Sequence, residues 1–86
     1  MNHFAAPSFW SRYRELPPDI QVLADKSFRL LKADSRHPSL RLKKAGALWS
    51  VRIGKRHRAL AKERREGLVW FWIGLHDAYE ELLRRS

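Results

Sequence analysis

Residues 48–76 read L-W-S-V-R-I-G-K-R-H-R-A-L-A-K, then a charged run E-R-R-E-G, then L-V-W-F-W-I-G-L-H. β-Branched and aromatic residues alternate with arginines, and only glycines and charge clusters interrupt the alternation. A period of two is the spacing of a strand with unlike faces. The stretch therefore predicts a three-stranded antiparallel meander with one apolar and one cationic face. The apolar face needs a cover, which the residues before it supply as helices.

The strands are expected at 48–53, 57–62 and 68–75. In the first, Trp49, Val51 and Ile53 face one way and Ser50 and Arg52 the other. In the third, strict alternation puts Val69, Phe71, Ile73 and Leu75 on the core face. Trp70, Trp72, Gly74 and His76 then share the opposite face. The turn at Gly54-Lys55-Arg56 decides the register of the first pair. A two-residue loop would drive Arg58 into the core beside Val51, and burying an unpaired guanidinium costs several kcal/mol. A three-residue loop pairs Ile53 with His57 and Arg52 with Arg58. It also puts Ala59 and Ala61 beneath the helices, where small side chains allow close approach. The three-residue loop is the expectation.

Upstream, residues 2–6 form at most an edge strand. Pro7 suits the first position of a helix, where its missing N–H is not needed. Over residues 8–16, Phe9, Trp10, Tyr13 and Leu16 make one helical stripe, ended by Pro17-Pro18. Over 19–33, Ile20, Leu23, Ala24, Ser27, Phe28 and Leu31 recur at three and four, and Asp19 suits the helix dipole. Residues 34–38 break the pattern. Residues 40–44 alternate as a strand or extended arm, and 45–47 turn. Residues 77–85 read as a terminal helix, acidic early and basic late. The fold class is α+β: two N-terminal helices on one face of a small twisted antiparallel sheet, in the order β-α-α-β-β-β, with a short C-terminal helix. Residues 1–86 are expected to form a single domain.

With 18 Lys and Arg against nine Asp and Glu, the formal net charge is +9. That excess calls for a polyanionic partner. The absence of cysteine excludes disulfides and Cys-ligated metal. The beginning of the chain does not read as a signal peptide, and no apolar run nears the roughly 20 residues of a membrane span. A cytoplasmic location without membrane attachment is the expectation. His3, His37, His57 and His76 lack metal-ligand spacing, so no metal is expected.

The expected cationic face collects Arg52, Arg58, Trp72 and His76. Arg41, Lys43 and Lys44 lie near its rim, and Tyr79 just beyond the last strand. Guanidinium groups fork onto phosphate oxygens and stabilise developing negative charge. An imidazole moves protons near neutral pH, and aromatics stack on bases. Taken singly, each has an ordinary reading: a solvated arginine, a structural histidine, a tryptophan that covers the sheet. Their convergence on one face is what points to phosphate chemistry.

Three segments carry a family resemblance: P-S-F-W-S-R-Y-R-E-L-P at 7–17, H-P-S-L-R-L-K-K at 37–44 and W-S-V-R-I-G-K-R-H-R-A-L at 49–60. They are similar to the RelE/ParE superfamily, the toxins of type II toxin–antitoxin modules. On the RelE-like side the resemblance implies a ribosome-dependent mRNA endonuclease acting in the A site. There the ribose 2′-hydroxyl attacks the adjacent phosphate without a metal. It also implies an acidic cognate antitoxin as partner. It assigns Arg58 to transition-state stabilisation, Arg52 to a phosphate clamp and Lys43 and Lys44 to substrate binding or charge stabilisation. His76 and Tyr79 are its general acid or base. The chain departs from the pattern in two places. Residues 37–40 offer no carboxylate where members with a W-S-x-R-I strand carry a catalytic Glu, and His76 is followed by Asp77 instead of Tyr. The group that moves the proton is left open. Two other readings stand beside this one: a ParE-like inhibitor of DNA gyrase, and a non-catalytic basic nucleic-acid-binding module. Arg58 and His76 favour the nuclease, because a gyrase inhibitor would not need them.

Overall fold

The computed structural model describes residues 2–85. The elements are β1 (His3–Ala5), α1 (Pro7–Tyr13), α2 (Pro18–Ala33), a 3-10 turn (Pro38–Leu40), β2 (Lys43–Ala45), β3 (Leu48–Ile53), β4 (His57–Arg64), β5 (Gly67–Leu75) and α3 (His76–Arg85). The five strands form one sheet in the order β1-β5-β4-β3-β2. β1 runs parallel to β5 and the other pairs are antiparallel, so the sheet is mixed.

Each of the first two helices starts on a proline, Pro7 in α1 and Pro18 in α2. Short connections hold the two together. The Tyr13 hydroxyl donates to Asp25 at 2.8 Å, and the Gln21 amide donates to the carbonyl of Tyr13 at 3.0 Å. The hydrogen bond to Asp25 holds the Tyr13 phenol above its ordinary range. α1 also closes the part of β5 that the short β1 leaves open. The Ala6 N–H donates to the Trp70 carbonyl, and the Ser8 hydroxyl to the Phe71 carbonyl at 2.9 Å.

The main core lies between the helices and the sheet. It contains Phe9, Ala24, Leu31, Leu40, Val51, Ile53, Ala59, Ala61, Leu68, Trp70 and Ile73. The β3–β4 register is the expected one, with Ile53 opposite His57 and Arg52 opposite Arg58. Ala59 and Ala61 lie under the helices, and Arg58 does not. Gly54 adopts φ +63° in the loop, with Leu23 of α2 packed over it.

β5 departs from strict alternation. Leu60 pairs with Trp72 but Ala61 pairs with Trp70, so Phe71 is an extra residue bulged out of the ladder. One inserted residue inverts the parity of everything before it. Trp70, expected on the cationic face, is fully buried in the main core, with Phe28 edge-on to its ring and its indole N–H donated to His3. Phe71, expected in the main core, packs on the other side with Trp72. Leu75, also expected in the core, is 54% exposed.

The second face is not open throughout. α3 lies across it, and Leu60, Trp72 and Tyr79 form a second small core with Leu48, Phe71, Leu82 and Leu83 around them. No helix among the described residues is long and apolar enough to cross a membrane.

Two measurements test this packing. Gly54→Ala forces a side chain into left-handed backbone and should cost about 1–2 kcal/mol, read as a lower urea midpoint. The second concerns His57, whose Nδ1 is buried without a partner. Burial holds its imidazole below the ordinary value of 6.5, against an opposing pull from Asp19, and burial lowers His3 in the same direction. The unfolded chain then binds more protons than the folded one just below that value. Stability is whole above it and is lost as the pH falls. The urea midpoint should drop between about pH 7.5 and about pH 5.5, and less steeply in His57→Gln.

Candidate active site

The sheet presents its second face as rows of paired residues. One row runs Lys43, Ser50, Leu60, Trp72, and the next runs Arg52, Arg58, Gly74. The second row places two guanidinium groups on neighbouring strands and then a residue with no side chain. The space over Gly74 is filled by the Trp72 indole, which a Cβ at that position would meet at 2.6 Å.

α3 brings the remaining groups. Its first N–H, from His76, donates to the Arg56 carbonyl at 2.7 Å, hooking the helix onto the β3–β4 loop. One turn on, Tyr79 is 3% exposed and its hydroxyl donates to Ser50 Oγ at 3.4 Å. The Arg58 guanidinium lies over the Tyr79 ring, 5.2 Å from its centroid. Arg58 Nε donates to His76 Nδ1 at 3.3 Å, while its Nη1 is buried with no partner. His76 Nε2 is 2.9 Å from Glu80 Oε1. Arg52 turns its Nε onto the Gly54 carbonyl at 2.8 Å.

The electrostatics of this pair are unusual. Like charges opposite one another on adjacent strands repel. Neither arginine is in a salt bridge; the ion pairs among the described residues are Arg84–Glu80 and Arg85–Glu81, and His76 contacts Glu80. Two adjacent guanidinium groups without a carboxylate make a site that an oxyanion would stabilise.

Of the residues expected to act, Arg52, Arg58, His76 and Tyr79 meet here, and Lys43 shares their face through its pairing with Ser50. Lys44 pairs with Trp49 and falls on the other face, its ammonium 6.0 Å from the Trp49 ring. Arg41 follows the 3-10 turn in left-handed backbone, φ 47°, and is exposed outside the ladder. Trp72 faces the site but is 5% exposed, with the Arg12 guanidinium 5.3 Å from its ring, so it offers no free surface to a base. Two contributors escaped the sequence reading, Ser50 and Glu80. Glu80 was visible as the residue four after His76 in a helix, the spacing at which side chains meet.

No curated protein matches the sequence. A chain of the crystal structure of the RelB–RelE antitoxin–toxin complex from Methanococcus jannaschii shares the fold. Its TM-score is 0.66 at 13% identity, over 92% of this chain and 96% of that one. A family model described as ParE-like toxin domain matches residues 18–81, which include both arginines, His76 and Tyr79. The protein belongs to this ParE-like toxin family, and so to the RelE/ParE superfamily of toxin–antitoxin toxins that its sequence resembles.

Proposed function

We propose that this toxin is a ribosome-dependent mRNA endonuclease, working in the cytoplasm on messenger RNA in the ribosomal A site. The observation that supports it best is the pair Arg52 and Arg58, side by side without a carboxylate and with His76 hydrogen-bonded to one of them. A gyrase inhibitor has no use for an imidazole held against a half-buried arginine.

The chemistry follows from where the groups sit. Arg58 and Arg52 take the non-bridging oxygens of the scissile phosphate through guanidinium N–H groups other than the buried Nη1 of Arg58. The phosphate draws Arg58 Nε–H away from His76, and the freed Nδ1 lone pair accepts the 2′-hydroxyl proton as the ribose 2′-oxygen attacks phosphorus. The bond to the 5′-oxygen breaks, leaving a cyclic phosphate and a 5′-hydroxyl. The departing oxygen takes its proton from Lys43, whose ammonium has no partner among the described residues. The guanidinium groups carry the added negative charge of the transition state. Tyr79 acts by seating Arg58 and α3, because its hydroxyl is buried against Ser50. Lys44 and Arg41 extend the positive field along the rim of the substrate path. The cognate partner is an acidic antitoxin, in keeping with the RelB–RelE complex in which the similar fold occurs.

The test is tightly controlled expression with translation rate, messenger ends and DNA integrity followed together. The wild type should arrest translation with cuts inside translated codons. Arg58→Ala should lose about 10²–10³ in cleavage rate, the usual cost of removing one transition-state donor. DNA breaks with intact messenger would favour gyrase inhibition instead. Tyr79→Phe should keep the arrest, since it removes only a long hydrogen bond, at about 0.5–1.5 kcal/mol of stability. Loss of cleavage in a folded Tyr79→Phe would return the proton-transfer role to the phenol.

A further inference from the structure

Resting on the nuclease reading, we infer that Glu80 is a positioning residue, fixing the tautomer and orientation of His76 so that Nδ1 is its basic nitrogen. The hydrogen-bond chain runs Arg58 Nε to His76 Nδ1 at 3.3 Å and His76 Nε2 to Glu80 Oε1 at 2.9 Å. An arginine N–H only donates, so Nδ1 must accept and carry the lone pair. The ring proton then sits on Nε2, where an ionised carboxylate is the acceptor. The two contacts, made from different elements, demand the same tautomer.

Three further constraints hold the ring. The His76 backbone is tied to the Arg56 carbonyl at 2.7 Å. The imidazole lies 5.4 Å from the Tyr79 ring at 31°. Arg84 Nη2 stands 4.0 Å from the other Glu80 oxygen. The ring is 43% exposed and the Glu80 side chain 53%, so the contact adds little to folding. Its consequence lies in the reaction. The 2′-O–H bond breaks as Nδ1–H forms, and the new positive charge is shared through Nε2–H with Glu80. A carboxylate behind a histidine performs this service in hydrolytic triads by holding the tautomer and stabilising the imidazolium. The carboxylate absent from residues 37–40 is thus supplied from α3, behind the base and not beside the phosphate.

The experiment compares wild type, Glu80→Ala, Glu80→Gln and His76→Ala in ribosome-dependent cleavage of a defined messenger, with kcat and KM separated. It adds ¹⁵N spectra of the His76 ring in the free protein. Glu80→Ala should lose about 10–100-fold in kcat, the usual effect of removing an outer-shell partner. KM for programmed ribosomes and the melting temperature should stay at their wild-type values. Its His76 ring should move from the Nε2–H tautomer towards a mixture. Glu80→Gln keeps an acceptor oxygen and should restore the tautomer and part of the rate. If the wild type cuts and Glu80→Ala cuts equally fast, or if wild-type His76 carries its proton on Nδ1, this inference alone is overturned. A wild type that leaves ribosome-bound messenger intact overturns the nuclease reading, and this inference with it.

Discussion

Two positive charges side by side on adjacent strands govern this structure. The Arg52–Arg58 pair is set by the three residues of the β3–β4 loop, and it survives because the surroundings spread its cost. The Gly54 carbonyl takes one Nε–H and His76 takes the other, while the Tyr79 ring lies beneath the second guanidinium. None of these partners is an anion. Each solvates a guanidinium group without neutralising it, so the charge stays available to a ligand. A carboxylate in the same place would have made a stable ion pair and a poor phosphate site.

That register was legible in the sequence for a simple reason. The alternative would have buried Arg58, an error large enough to decide between two loop lengths. The helical stripes were legible in part: Phe9, Ala24 and Leu31 go into the core as apolar residues at three and four should, while Trp10 and Leu23 of the same stripes stay exposed. The face of Trp70 was not. Trp, Phe and Val are all comfortable in either core, so residues 68–73 carry no penalty that distinguishes a bulge at Phe71 from an unbroken strand. β1 shows a similar limit: three residues do not announce that they pair parallel with β5. Among the site residues, the strand arginines were placed by register alone. Ser50 and Glu80 were not, because their roles depend on how α3 lies over the sheet.

α3 is the element in which stability and chemistry meet. Its Tyr79, Leu82 and Leu83 roof Leu60 and Trp72, and its His76 and Glu80 line the site. Lifting the helix would uncover an apolar patch and break the Arg58–His76–Glu80 hydrogen-bond chain in one motion. Tyr79 belongs to both, since its ring supports Arg58 while its body fills the second core.

This coupling explains why the aromatic content of the second face need not signal base stacking. Trp72 and Tyr79 spend their surfaces on Leu60, Gly74, Arg12 and Arg58. In the proposed function the substrate is then held through its phosphates by the arginines, and specificity for particular bases has to come from elsewhere than these rings. Phosphate contacts position a nucleic acid without reading it. Under the proposed nuclease reading, a site built this way gains from a partner that already presents the messenger in a fixed conformation, as a ribosome would.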